Sequence, residues 1–400
     1  MMNAGEGQFR RNLASLRFNR SEANGAVADL GTFLPLLLGM AVRCGLHLGH
    51  ALLFAGIAGV VAGLAFGLPI PIQPMKAIGI VAIAQGMSVA EIAAAGVLTG
   101  VAVLLLAAMG MMDRLARAVP KSLVRALQLA LGVKLISTGF TMGIASVPWM
   151  GADSVVLAAI SIVLLVWLRS SRRVPEALAV CAFGLAALVV AQPHLAASLR
   201  LGFERPALQS ISAFDWVAGL WRGAIPQIPL TILNSVLAVS LLTADFFGER
   251  GAGPRKLAVS VGLLNVLFCP FGAMPMCHGA GGLAAHYRFG GRTGGCAIIL
   301  GAANIALALL FGSSLLPLLS QYPRSVLGVL LAFSGLELAL VCRDQKGARN
   351  IAVLLLSAMA CIVTNFAVGF LFGWVVVVLL RTWERRRHAR KEVAGVFARG

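Results

Sequence analysis

Two proline-broken segments, 204 positions apart, carry the residues of this chain best suited to holding a ligand. The first reads Pro69-Ile70-Pro71-Ile72-Gln73-Pro74-Met75-Lys76-Ala77 and the second Met274-Pro275-Met276-Cys277-His278-Gly279-Ala280-Gly281-Gly282. Proline lacks an N–H and clashes with the turn before it, so each run stops one helix and lets another begin. A helix start exposes amides without intrahelical partners and the positive end of the macrodipole, and both favour negative charge. Prolines donate nothing, so the donors on the first run are Met75, Lys76 and Ala77, with the Gln73 side-chain amide beside them. On the second they are Cys277, His278, Gly279 and Ala280, and Gly279, Gly281 and Gly282 permit close approach to the backbone.

The elements that must position these runs are membrane spans. Hydrophobic residues make up 59% of the chain and charged residues 12%, against nearly half and a quarter in a soluble domain. The composition predicts a polytopic, all-α membrane protein with little soluble part. The net charge of +18 lies between apolar spans and at both ends, so orientation explains it better than nucleic-acid binding. No secretory signal is expected, because the residues before Gly25 have no short apolar core with a cleavage site. The seven cysteines are scattered and none has zinc-site spacing, which argues against a disulfide framework or a metal. No cofactor is expected.

Fourteen helical segments are predicted, at 25–43, 48–68, 73–87, 91–112, 121–141, 154–169, 174–192, 219–245, 256–271, 276–287, 293–319, 324–341, 349–363 and 366–382. Spans 3 and 10, which begin inside the broken runs, are too short for a crossing of roughly 20 residues. With the N-terminus cytoplasmic, 26 of the 33 basic residues fall on that side and four outside, a strong positive-inside bias. The expected organisation is a cytoplasmic basic tail (1–24), a transmembrane repeat (25–192), an extracytoplasmic linker (193–218), a second repeat (219–382) and a cytoplasmic basic tail (383–400), in a cell (inner) membrane. The basic loops and the Arg381–Lys391 cluster read as orientation signals and contacts to anionic lipids.

The halves repeat. Gly25-Ala26-Val27 matches Gly223-Ala224-Ile225 at an offset of 198, and the broken runs match at 204. Val119-Pro120-Lys121-Ser122-Leu123 matches Tyr322-Pro323-Arg324-Ser325-Val326 at 203. Seven spans per repeat is odd, so the second copy is inverted. Spans 3 and 10 then meet near the midplane about a pseudo-two-fold axis, and matched interruptions of this kind point to a transporter's binding site.

Four stretches now carry a resemblance. Asn24-Gly25-Ala26-Val27-Ala28-Asp29-Leu30-Gly31-Thr32-Phe33-Leu34-Pro35 is similar to the first span of the molybdate-transporter branch of the sulfate permease (SulP) family. So are Pro71 to Ala77, Gln227-Ile228-Pro229-Leu230-Thr231-Ile232-Leu233-Asn234-Ser235, and Met274 to Gly282. The likeness covers about residues 20–380. It implies a seven-plus-seven inverted-repeat fold shared with nucleobase permeases, in which a core domain (spans 1–4 and 8–11) moves against a gate domain (spans 5–7 and 12–14). No cytoplasmic regulatory domain of the wider sulfate permeases is expected after the last span; dimerisation through one is in doubt, and a homodimer stays open.

A tetrahedral oxyanion such as molybdate or sulfate needs its water shell replaced, and two inward-pointing helix starts would do so. Lys76 is costly in mid-membrane, which argues for a role in the site; snorkelling to an interface is the plainer reading. His278 either donates to the oxyanion or carries a proton, or is tied to a backbone carbonyl. Asp29 sits near the site with Thr32 nearly one turn on; protonation would remove its repulsion of an anion, the physics of proton-coupled symport, whereas a cap or inter-helix bond is the alternative. Gln227, Thr231 and Asn234 share a helical face, and their equivalence to span 1 favours a cavity lining over helix-to-helix bonds. Lys134 and Glu337 are equivalent in the repeats and are expected to pair in the gate. Gly279 to Gly282 lack a following Lys-Ser/Thr, so nucleotide binding is not expected.

The reading is a secondary active molybdate transporter that works by alternating access and is coupled to a cation, a proton or sodium. A sulfate or other oxyanion permease is the same-fold alternative. Nucleobase permeases carry acidic residues where this chain has Gln227, Thr231 and His278. An anion channel is the alternative of another class, and no nucleophile–base constellation supports an enzyme.

Overall fold

The computed structural model describes residues 4–112, 114, 120–169, 174–197, 199–364, 368–380 and 382. Its helices, in chain order, are α1 (Ala4–Ala14), α2 (Arg20–Ala26), α3 (Leu30–Cys44), α4 (Leu48–Phe66), α5 (Lys76–Gln85) and α6 (Val89–Ala108). They continue with α7 (Lys121–Phe140), α8 (Val155–Leu168), α9 (Glu176–Ala191), α10 (Ala213–Arg250) and α11 (Pro254–Phe268). The last are α12 (Ala280–Arg288), α13 (Gly295–Phe311), α14 (Leu315–Ser320), α15 (Arg324–Leu340), α16 (Ala348–Val363) and α17 (Val368–Leu380). Each of the fourteen expected segments overlaps at least one of these helices. Among the described residues, five helices are long and apolar enough to cross a membrane on their own.

Four details differ from expectation. The first span is broken: α2 and α3 meet at 43°, with Asp29 at the break. Span 11 is likewise divided into α13 and α14. Residues 4–14, expected as tail, form α1, which Asn12 ties to the end of α4 by donating to the Ala65 carbonyl at 2.7 Å. The stretch 193–218 holds a short helix, Pro193–Ala197, and the start of α10. The tail 383–400 lies outside the described residues.

Small residues set the packing. A Cβ on Gly56 or Gly63 of α4 would meet the Gly301 or Gly294 carbonyl at 2.6 or 2.5 Å, so α4 and α13 touch backbone to backbone. The same holds for α7 and α15 at Gly132 with Gly335, and for α6 and α11 at Gly100 with Gly262. Between apolar helices in lipid there is no hydrophobic drive, and close approach through small residues supplies the dispersion contact instead. The α4/α13 and α6/α11 pairs lie in the expected core set of spans and the α7/α15 pair in the gate set.

The broken runs form one small structure at the centre. Gly67 ends α4 at φ 65, a left-handed turn that favours glycine, and the prolines keep the chain extended after it. Gln73–Pro74 (β1) then pairs antiparallel with Met276–Cys277 (β2), Gln73 opposite Cys277 and Pro74 opposite Met276. Gln73 and Cys277, matched in sequence at offset 204, therefore face each other. Asn265 of α11 clamps β2, accepting from the Met276 amide at 2.8 Å and donating to its carbonyl at 2.6 Å. Helices α5 and α12 begin directly after the two strands and run only 10 and 9 residues.

Candidate functional site

The starts of α5 and α12 open on a cavity of about 310 Å³, within the usual range for small-ligand sites of roughly 300–1,000 Å³. Lys76, Asp29, Thr32, Asn234, Gly281 and Gly282 line it. It runs on to Arg288 and Phe289 at the far end of α12. Gly281 and Arg288 are exposed, so the cavity reaches the surface there.

The two helix starts are not equivalent. Around α5, the Met75 amide donates to the Pro275 carbonyl at 2.8 Å and the Ala77 amide to Gln227 Oε1 at 2.9 Å. Two of the three amides expected to face a ligand are thus bound within the protein, because β pairing and a buried glutamine reach them first. What α5 presents is the Lys76 side chain, half-buried, with Nζ 3.4 Å from Gln73 Oε1. Among the described residues no carboxylate lies within 4.0 Å of it.

Around α12, the first intrahelical bond is Leu283 to the Gly279 carbonyl, 2.9 Å. The amides of Ala280, Gly281 and Gly282 precede it and have no acceptor among the described residues. Of the expected set of Cys277, His278, Gly279 and Ala280, Ala280 is among the open donors; the other two, Gly281 and Gly282, lie one and two positions beyond it. Cys277 is fixed in β2 and borders only a pocket of about 20 Å³, room for a single water. The signal was present in the sequence: a Gly-Ala-Gly-Gly start leaves its amides uncovered by side chains.

His278 is tied down. Its Nδ1 donates to the Pro71 carbonyl at 3.1 Å, which leaves Nε2 to accept from the Ser260 hydroxyl at 3.0 Å. It is fully buried and lines no cavity described here, so a direct role on the ligand is not supported. His286 does the same service for the Pro69 carbonyl, at 3.0 Å. Buried carbonyls in a proline-rich turn need donors, and two histidines of the second half supply them to the first.

Asp29 neither caps α3 nor stands free: its carboxylate accepts from the Gln73 side-chain amide. A Cβ on Gly282 would lie 2.4 Å from Gln73 Nε2 and 2.7 Å from Asp29 Oδ2, and one on Gly279 only 1.7 Å from Gln73 Oε1. Glycine at these positions is what lets the Asp29–Gln73 pair lie against α12.

The polar stripe on α10 divides. Gln227 accepts from the Ala77 amide of α5 and donates to Thr231 Oγ1, one turn on in the same helix, at 3.0 Å, and neither lines the large cavity. Asn234 does face it, because a π-helical stretch, Thr231–Leu237, rotates it away from Thr231. Its Oδ1 accepts from Gln128 of α7 at 3.4 Å. Gln128 accepts in turn from Arg125 at 2.8 Å, and Arg125 with Lys121 holds Asp344. This link between α7 and α10 was not expected; two polar residues three apart in an apolar span were its only trace. Lys134 lines a different cavity, and the side chain of its expected partner Glu337 lies outside the described residues.

Two solved structures of similar fold are of anion transporters. The transmembrane domain of a cyanobacterium bicarbonate transporter, BicA, matches with TM-score 0.66 at 15% identity, over 88% of this chain and 98% of that one. Murine Slc26a9, an anion transporter in the inward-facing state, matches with TM-score 0.70 at 14% identity, over 96% of this chain and 72% of that one. The fold is therefore that of a multi-pass membrane protein of the BicA and Slc26a9 type. At the level of sequence, the family described as "Molybdate transporter of MFS superfamily" matches residues 21–135 and 219–338. Molybdate transporter 1 of Arabidopsis thaliana is 34% identical over 95% of this chain and 92% of its own length. Molybdate transporter 2 of Arabidopsis thaliana is 36% identical over 94% and 90%, and molybdate transporter 1 of Chlamydomonas reinhardtii 33% over 95% of each. The chain belongs to this molybdate transporter family, and it is not an enzyme.

Proposed function

We propose that this chain carries molybdate across a membrane by alternating access, binding it between the starts of α5 and α12. The observation that carries this is a cation and open amides on one cavity: Lys76 from one half-helix, and Gly281 and Gly282, with their free amides, from the other. A doubly charged tetrahedral oxyanion would lose its hydration there to donors that are already in place. Thr32 and Asn234 complete the wall with side chains able to reach the remaining oxygens.

An inverted repeat of seven plus seven spans supports the two-sided access. Besides the pairing of Gln73 with Cys277, Ile80, Val81, Ala84 and Gln85 line a second cavity, while Ala284, Ala285, Arg288 and Phe289, each 204 positions later, line the first. The two cavities are the two half-pathways. In the orientation set by the basic loops, with both termini cytoplasmic in the cell membrane, the Arg288 end faces the cytoplasm. Asp29 is the coupling group: it lines the binding cavity and holds Gln73, so protonation would both remove a like charge and release that amide.

Radiolabelled molybdate uptake into proteoliposomes tests this, with pH or sodium gradients imposed and tungstate and sulfate as competitors. Uphill accumulation driven by a gradient is expected, with proton dependence lost in Asp29→Asn. Flux that only equilibrates would mean a channel, and stronger competition by sulfate than by unlabelled molybdate would make this a sulfate permease.

A further inference from the structure

The second cavity, about 540 Å³, lies at the opposite end of α5 from Lys76. Gln85, Ser137, Trp221, Lys134 and Arg222 line it, and all five are exposed. We propose that this cavity is an anion-capture site, in which Lys134 draws a doubly charged tetrahedral oxyanion into the outward half of the pathway before it reaches Lys76. The inference rests on the transport reading above and adds a second site to it.

Three observations carry it. Lys134 sits thirteen residues into α7, about 20 Å along a helix otherwise apolar enough to span a membrane. A lysine so placed is costly and seldom kept without a function. Among the described residues no carboxylate lies within ion-pair distance of it. Arg222, the other cation of the cavity, is partly balanced, with Nη1 3.4 Å from Glu91 Oε1. The described lining of the cavity holds two cations, Lys134 and Arg222, and no carboxylate. The third observation is the repeat: the position of Arg288 on α12 corresponds to Ala84 on α5. The first cavity takes its cations, Lys76 and Arg288, from the two short helices, and the second takes Lys134 from α7 and Arg222 from α10. A cation at each mouth suits a path whose cargo is an anion at both ends.

In a wet cavity a single cation about 8 Å from a dianion raises its local concentration about sixfold, and salt screens the effect. The test is initial-rate uptake of radiolabelled molybdate by the full chain in proteoliposomes, at low and at high ionic strength. Lys134→Gln should lower Vmax/KM about sixfold at low salt, the gap should close at high salt, and Lys134→Arg should restore both rate and salt dependence. Wild-type rate and salt dependence in Lys134→Gln, with the wild-type chain transporting, would overturn this inference alone. So would a Lys134→Gln loss accompanied by a lower melting temperature in detergent and reversed by Glu337→Gln, because the lysine would then serve an ion pair. No gradient-driven uptake by the wild-type chain would overturn the transport reading as well.

Discussion

Gly281 and Gly282 are adjacent in the first turn of α12, yet a methyl group on each meets very different surroundings. On Gly281 it would find nothing within 4 Å; on Gly282 it would stand 2.4 Å from Gln73 Nε2 and 2.7 Å from Asp29 Oδ2. Those atoms are the bonded tips of a buried pair, so making room means parting them. Overpacking of this kind costs about 1–3 kcal/mol, and loss of a buried hydrogen bond to a charged group costs about 1.5–3. Partial relaxation overlaps the two, so Gly282→Ala is expected to cost about 2–3 kcal/mol of stability and, because the parted pair lines the cavity, to lower molybdate affinity as well. Gly281→Ala should stay within about threefold of wild type. Radiolabelled molybdate binding to detergent-purified protein, with melting temperature measured alongside, reads both. Equal effects at the two positions would show that the loss comes from crowding the cavity or the helix start, and the argument from the Asp29–Gln73 pair would be refuted.

Other perturbations separate the roles further. Lys76→Ala should weaken molybdate uptake more than any single glycine substitution in α12; wild-type kinetics would remove it from the site. Perrhenate, a tetrahedral anion with one charge instead of two, should compete much less well than tungstate, and comparable inhibition would mean that charge does not set the affinity. Gln227→Leu strands the Ala77 amide in a buried position, a cost of about 1–3 kcal/mol, so melting temperature should fall; an unchanged value would show that the amide finds another acceptor. His278→Asn should lower stability and leave the pH profile of transport unchanged, since both ring nitrogens are engaged within the protein; a displaced profile would restore a proton-carrying role.

Proline and glycine made the centre of the fold legible. Prolines at 69, 71, 74 and 275 interrupt helices, and the 204-residue offset between Pro71 and Pro275 marks the two interruptions as a matched pair. Lys76 and Asp29 stood out for the same reason that they line the cavity: ionised groups are costly in a span unless something uses them. Hydrogen-bond partners were not legible. Nothing in the spacing of Gln227 tells that it reaches across to Ala77, 150 positions away, or that Asn265 will clamp Met276, because those bonds depend on how the elements come to rest against one another. The π turn that swings Asn234 into the cavity defeats an i, i+4, i+7 reading, which assumes 3.6 residues per turn throughout.

The repeat itself explains why its two halves are unequal at the site. Two identical helix starts meeting head-on would offer only dipoles, each contributing about 0.3–1 kcal/mol and at most about 2. A unit charge pair at 4 Å in a medium of effective dielectric 20 is stronger, about 4 kcal/mol, and a dianion doubles it before desolvation is subtracted. Here the first half has closed its amides on Pro275 and Gln227 and contributes the lysine, while the second has no side chain at Gly281 or Gly282 and contributes bare amides. The point charge supplies attraction that scales with ligand charge; the fixed amides supply direction that depends on the placement of its oxygens. Two lysines would hold an anion too tightly for release on the far side, and two bare helix starts would not discriminate a dianion from chloride. Divergence of the two helix starts meets both demands.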